Sequence, residues 1–186
     1  MAKGRLASVL VGSAREALAR RLATGVVAAA GSLRVYVVTD DVSVRQWAAE
    51  MGATAVADTG GGLNAAAHTG VARAVADGFA RVVIAHADLA NAVDLSWIAA
   101  FDGVTLVPDR HGRGTNVIGL SVPSPFRFAY GEDSFGRHRL EAGRTGQRLR
   151  IVRDLSLAWD VDVPADLSPD TLAGLEFCRD EEHALP

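Results

Sequence analysis

The sequence predicts an α/β protein, a single domain over residues 1–186 with a doubly wound, mixed and mostly parallel sheet. Three observations predict this fold. Buried β-rich segments alternate with helical segments that carry capping residues and glycine stops. The connections between these segments are short, as in βαβ units. Aspartates follow the predicted strands directly, at the edge where ligands bind in such sheets.

The first half of the chain shows the alternation of helices and strands. A capping box opens a helix at Ser13, and Gly31 ends it. The almost uninterrupted apolar segment 33–39 is typical of a strand covered on both faces. We find no clear strand before Ser13, so we expect the strand that usually opens such a domain either to be missing or to lie upstream of Met1. The other predicted elements of this half are a helix over 43–51, a strand over 54–57, a helix that Asn64 caps and Gly78 ends, and a strand over 81–85.

The second half has shorter elements. We predict a helix over 95–101, a strand over 105–107, a strand over 116–122 and a helix over 134–142, with Ser134 as its cap. Short strands at 149–152 and 158–161 follow, and a helix over 164–178 ends the chain.

Composition excludes several classes of protein. With 49% hydrophobic and 22% charged residues the chain is globular rather than disordered. A net charge of −3 argues against general nucleic-acid binding. Its single cysteine, Cys178, allows no internal disulfide. No apolar run approaches the roughly 20 residues of a membrane span. We therefore expect a cytoplasmic protein with neither nucleic-acid nor membrane partners.

Two polar segments, 107–116 and 131–138, predict a site for a small anion. Glycine-spaced turns expose backbone N–H groups in both, and a helix N-terminus opens the second. A solvated basic loop and a capped surface helix are the alternatives. Neighbouring basic residues 137–139 cannot all reach one ligand. The candidate binding residues are Asp109, Arg110, Thr115, Gly131, Ser134, Arg137 and His138.

A carboxylate pair on distant strands suggests a magnesium site. Asp88 follows the strand 81–85, and Asp160 and Asp162 follow the apolar run that ends at Trp159. Mg²⁺ needs only one or two protein carboxylates when phosphates supply further oxygens. The alternative is that these aspartates cap turns or helices.

Residues 60–64 begin with a glycine triplet that lets a nucleotide approach the backbone closely, because glycine has no Cβ. A flexible turn before a helix would use the same residues. The segment is not a Walker A motif. The sequence offers no supported nucleophile for covalent catalysis.

Taken together, these motifs resemble the 2-phospho-L-lactate/phosphoenolpyruvate guanylyltransferase family of coenzyme F420 biosynthesis. The resemblance extends over nearly the whole chain, and Pro-Asp-Arg-His-Gly-x-Gly-Thr-Asn is its most specific part. Ala90 and His86 depart from the family pattern, as does the absent first strand. The motifs that carry the resemblance lie at 2–6, 62–66, 87–89, 108–116, 131–138 and 160–167.

The resemblance implies a fold of the nucleotide-diphospho-sugar transferase type and a Mg²⁺-dependent transfer of GMP from GTP to phosphoenolpyruvate or 2-phospho-L-lactate. Pyrophosphate would be released. The product would be handed to the next transferase of the pathway, and a homodimer is one option for the oligomeric state. By position, Thr115, Gly131 and Ser134 would hold the acceptor, Asp88, Asp160 and Asp162 the metal, Lys3 and Arg5 the triphosphate, and Gly62 and Asn64 the guanosine.

Two other functions are open from the residues alone. One is a truncated, non-catalytic relative that binds a phosphorylated acid or a nucleotide. The other is a nucleotidyltransferase of the same fold with a different acceptor, such as a sugar phosphate.

Overall fold

A computed structural model describes residues 4–173 and shows an α/β fold. None of the helices in this range has both the length and the apolar character needed to cross a membrane. The helices are α1 (Gly12–Ala29), α2 (Val42–Glu50), α3 (Gly62–Ala76), α4 (Ser134–Thr145) and α5 (Pro169–Leu172). The strands are β1 (Tyr36–Val38), β2 (Thr54–Val56), β3 (Arg81–Ala85), β4 (Val104–Pro108), β5 (Thr115–Ser121) and β6 (Leu149–Ile151).

Four predicted elements are much shorter than expected. The strand predicted over 33–39 is only the three-residue β1. The helix predicted over 95–101 is only a 3₁₀ turn at Ser96–Ile98, where the Asp94 carboxylate accepts a hydrogen bond from the Ser96 N–H. The strand predicted over 158–161 is a single bridge between Leu89 and Asp160. Of the helix predicted over 164–178, the structure shows a 3₁₀ turn at 164–166 and then α5, and residues 174–178 lie outside the described range.

The strands form two sheets, which confirms a mixed arrangement but makes the prediction of mostly parallel pairing wrong for the described residues. β1 and β2 pair in parallel, and the other four strands have the order β3-β5-β4-β6. β5 runs antiparallel to both β3 and β4, whereas β4 and β6 are parallel. The physical reason is the short loop 109–114, which cannot make the crossover that a parallel pair requires.

Both faces of the four-stranded sheet are covered. On β4, Val104 and Leu106 pack into a cluster that includes α3 and α4, whereas Val107 packs on the opposite face against α1. Successive residues of a strand point to opposite faces, so one strand contributes to both clusters. All five residues of β4 are therefore buried, whereas the segment 33–39, predicted as a strand covered on both faces, contains a strand that is only half-buried.

The edges of the two sheets leave a cleft between them. Among residues 4–173, β1 pairs only with β2 and β3 only with β5. Residues 36–38 and 82–85 are accordingly half-buried instead of fully buried. This open region continues towards the carboxyl ends of β1 and β3, where the polar residues lie.

Candidate active site

A cleft of about 1850 Å³ brings together the polar motifs from distant parts of the chain. Thr115, Gly131 and Ser134 lie in its wall together with Asp88 and Asp160. Lys3 lies outside the described residues. The other predicted site residues in the wall are Arg5, Asp109 and Asp162, whereas Gly62, Asn64, Arg110, Arg137 and His138 are not part of it.

One side of the cleft carries Thr115, Gly131 and Ser134, the residues predicted to hold the acceptor, and is called the acceptor side below. It is built from the first residues of β5 and α4. Thr115 opens β5 and Ser134 opens α4, and both are buried. Gly131 has a φ of 114°, a conformation that favours glycine, and its carbonyl accepts from the Ser134 N–H at 3.2 Å. Ser134 was predicted as the helix cap, but the cap is Asp133, in a left-handed conformation with φ 49°. The Ser134 hydroxyl is therefore not used in capping.

Asp109 shapes the loop that precedes Thr115. Its carboxylate accepts from the Arg113 N–H at 2.9 Å, and its own N–H donates to the Gly114 carbonyl at 3.0 Å. The Arg113 carbonyl in turn accepts from the Phe135 N–H at 2.9 Å. These bonds join the loop to the start of α4, so the two anion-binding motifs form one rigid unit.

His138 was predicted to bind the substrate, but the structure places it behind Thr115. It is fully buried, with Nδ1 at 3.0 Å from the Thr115 Oγ1. Its Nε2 accepts from the Ala129 N–H at 2.8 Å. Both ring nitrogens are therefore used within the protein.

Arg137 lies at the edge of the acceptor side. Its side chain is exposed, and its guanidinium approaches the position that a Cβ on Gly131 would take, at 3.2 Å. It therefore stands beside the Gly131 turn rather than in the wall of the cleft.

The carboxylates of the cleft are held by backbone pairing across it. Leu89 and Asp160 form an antiparallel bridge, and the Val161 N–H donates to the Asp88 carbonyl at 3.1 Å. Burial raises the pKa of Asp160, and the nearby charges of Asp88 and Asp162 add to this effect. Carboxylates crowded in this way are favourable ligands for a cation.

Asp162 is more exposed than Asp160. Its carboxylate forms an ion pair with Arg5 at 3.2 Å, with 48% of the Asp162 side chain exposed. Residues 4–173 contain no group of three or more His, Cys, Asp or Glu side chains arranged to hold a metal.

Arg110 was predicted to contact the substrate, but its guanidinium is engaged inside the protein. It forms an ion pair with the buried carboxylate of Asp166, donates to the Asp160 carbonyl at 3.2 Å and stacks over Trp159 at 4.5 Å. Burial alone would raise the pKa of Asp166, but the N–H groups of residues 163 and 162 and the Arg110 charge keep it below its usual range. Arg110 therefore fixes the segment that presents Asp160.

The segment predicted to contact the nucleotide begins at the glycine triplet 60–62, where all three residues have positive φ. The predicted cap, Asn64, lies within α3, and Gly61 precedes the helix instead. The Asn64 Oδ1 accepts from the Tyr130 N–H at 2.7 Å. Asn64 thus connects the start of α3 to the residue that precedes Gly131.

Three supporting residues were not predicted as site residues. Asn116 donates through Nδ2 to the Leu157 carbonyl at 3.0 Å and lies 3.4 Å from the Asp160 carboxylate. Trp159 and Asp166 hold Arg110. Asn116 and Asp166 fall within the motifs 108–116 and 160–167, and Trp159 directly precedes the second. The partners of Asn116 and Asp166 are nevertheless 41 and 56 positions away in the sequence.

The overall architecture defines an α/β protein with a fold that resembles the nucleotide-diphospho-sugar transferases. The fold matches a crystal structure from Desulfovibrio desulfuricans G20 assigned to the nucleotide-diphospho-sugar transferases, with a TM-score of 0.67. That match covers 87% of this chain and 76% of the other at 18% identity, so it shows the fold alone.

Within this class, the chain belongs to the family described as guanylyl transferase CofC like, whose model matches residues 1–177. It is 38% identical to the phosphoenolpyruvate guanylyltransferase of Sphaerobacter thermophilus, over 93% of this chain and 87% of that protein. It is 35% identical to the enzyme of the same name from Rubrobacter xylanophilus, over 90% of this chain and 86% of the relative. The predicted guanylyltransferase family of F420 biosynthesis is thus confirmed.

Proposed function

We propose that this enzyme transfers GMP from GTP to phosphoenolpyruvate, with Mg²⁺ held by Asp88 and Asp160. The observation that supports the proposal is the cleft, whose wall contains Thr115 and Ser134 together with this carboxylate pair. The names of the relatives support phosphoenolpyruvate as the acceptor. 2-Phospho-L-lactate is the alternative acceptor of the same chemistry.

The acceptor phosphate would lie against the rigid unit formed by the two anion motifs. Thr115 and Ser134 offer hydroxyl groups, whereas the Ser134 and Phe135 N–H groups already donate to the Gly131 and Arg113 carbonyls. A helix N-terminus also favours negative charge. An oxygen of this phosphate attacks the α-phosphorus of GTP, and the bond to the β-phosphate oxygen breaks, which releases pyrophosphate. Because the phosphate is already anionic near neutral pH, no general base is needed.

The carboxylates of Asp88 and Asp160 fit the proposed cation. Asp88 and Asp160 are brought close by the bridge at Leu89, and burial and mutual repulsion raise the pKa of Asp160. Bound Mg²⁺ would neutralise charge on the phosphates. Arg5, and with it Lys3 by family resemblance, would add positive charge beside the triphosphate.

The guanosine would lie near the start of α3. Gly62 there has a φ of 77°, and Leu63 and Ala66 of the same helix line the cleft. The Asn64 Oδ1 is bound to Tyr130, so we assign its Nδ2 donor to this side.

Pyrophosphate release tests the proposal. The protein is incubated with GTP, Mg²⁺ and one acceptor from a panel of phosphoenolpyruvate, 2-phospho-L-lactate and 3-phosphoglycerate. Reactions without acceptor, and with ATP, CTP or UTP, are the controls. We expect release with GTP and phosphoenolpyruvate, and absence of release with every acceptor contradicts the proposal.

A further inference from the structure

The buried histidine behind the acceptor wall has two partners of different kinds. The His138 Nε2 receives a hydrogen bond from the Ala129 N–H at 2.8 Å, and its Nδ1 lies 3.0 Å from the Thr115 Oγ1. A backbone N–H can only donate, so Nε2 must be unprotonated. The contact of Nε2 with Ala129 therefore determines whether Nδ1 donates to Thr115 or accepts from it.

The imidazole is neutral at physiological pH. Burial lowers the pKa of His138 to about 4, and the positive charge of Arg137 acts in the same direction. A neutral imidazole whose Nε2 accepts carries its single proton on Nδ1. That proton is donated to the Thr115 Oγ1, so the Thr115 hydroxyl directs its own hydrogen elsewhere.

The ring is also held against a flip. Phe126 lies 5.7 Å from it at an interplanar angle of 32°, and Tyr130 lies 4.9 Å away at 78°. A flipped ring would place carbon atoms against Ala129 and Thr115, which would leave a buried N–H and a buried hydroxyl unsatisfied. Each such loss costs about 1–3 kcal/mol.

We propose that His138 is a positioning residue that does not touch substrate, and that it fixes the Thr115 hydroxyl as a hydrogen-bond donor towards an anionic oxygen in the cleft. Thr115 lines the cleft, so this donor is at the acceptor wall. The identification of the anion as the acceptor phosphate rests on the proposed function. The assignment of the imidazole proton to Nδ1 does not depend on the proposed function.

The tautomer is measured directly by NMR of the ¹⁵N-labelled protein. The His138 ring is assigned among the five histidines by its loss in His138→Gln. We expect a protonated Nδ1 and an unprotonated Nε2, unchanged between about pH 8 and 5.5. A proton on Nε2, or a ring that titrates near its ordinary pKa, overturns the inference whatever the enzyme's activity.

Two substitutions separate the two hydrogen bonds. In His138→Asn an amide N–H near the Nδ1 position retains donation to Thr115. In His138→Gln the amide oxygen reaches towards Ala129 and the donor to Thr115 is lost. We expect the KM for the acceptor to rise about tenfold in the Gln variant and to stay within about threefold in the Asn variant. The KM for GTP should stay unchanged in both, and melting curves check that both fold.

A double-mutant cycle with Thr115→Val shows whether His138 acts through Thr115. We expect His138→Gln to have no further effect on the acceptor KM once the hydroxyl is absent. Additive effects, or equal acceptor KM values in the Asn and Gln variants, overturn the positioning role. If the wild-type protein transfers GMP to no acceptor, the proposed function fails, and the NMR result still decides the tautomer.

Discussion

The stability of the protein should fall between pH 7.5 and 5 because of one buried side chain. The pKa of His138 is 6.5 in an unfolded chain and about 4 in the folded protein, so in this range the unfolded state binds more protons. Unfolding is then favoured as the pH falls. This contribution to stability is fully present above pH 6.5, the pKa of the side chain in the unfolded chain. It is lost as the pH falls towards about 4, the pKa in the folded protein.

The magnitude follows from the two pKa values. Their difference corresponds to about 3 kcal/mol over the whole range, of which about 2 kcal/mol is lost by pH 5. The side chain is fully buried, so solvent does not screen this effect. Carboxylates with lowered pKa values, such as Asp41 and Asp154, act mainly at lower pH.

Urea denaturation followed by circular dichroism measures the effect at about pH 7.5, 6.5, 5.5 and 5. The matched control is His138→Gln, which keeps every other titrating group. We expect the wild-type unfolding free energy to fall about 2 kcal/mol more than that of the variant. Parallel pH dependences of the two proteins refute the reasoning, as does a wild-type His138 ring that NMR shows to titrate above pH 6.

Four further predictions concern the cleft and the residues that support it. Asp88→Asn should lower kcat for guanylyl transfer by about 100-fold or more, because charge neutralisation at the phosphates is worth several kcal/mol, and Mg²⁺ titration of the activity should shift to higher concentration. Asp160→Asn should lose activity similarly while the unfolding free energy is unchanged or higher, since the repulsion between carboxylates is removed; a large loss of stability would contradict this. Arg110→Met should cost about 3 kcal/mol in urea denaturation, because it leaves a buried carboxylate unpaired, whereas Arg144→Met at an exposed pair should cost less than about 1 kcal/mol. Asn64→Ala should raise KM for both GTP and the acceptor, and a change for GTP alone would show that its bond to the acceptor loop has no role.

The identity of most helices and strands could be predicted because they depend on nearest neighbours. The predicted strand over 81–85 is β3 as observed. The predicted helix over 134–142 begins at the same residue as α4 and continues to Thr145. Glycine stops and apolar runs are local signals that located these elements. The helix caps predicted at Ser13, Asn64 and Ser134 were wrong, because the structure has Val11, Gly61 and Asp133 as the caps of these helices. Local signals did not predict the antiparallel pairing of β4 and β5, because this pairing depends on how the loop 109–114 reverses the chain direction.

The sequence by itself determined the family, the alternation of elements and the two anion motifs, because each is written in consecutive residues. Only the tertiary structure decided what the individual polar side chains do. His138 turned inward to Thr115, Arg110 to Asp166 and Asn64 to Tyr130, with partners 23, 56 and 66 positions away. A side chain's role depends on its burial and on the donor or acceptor it meets, and chain folding sets both over distances that no local pattern records.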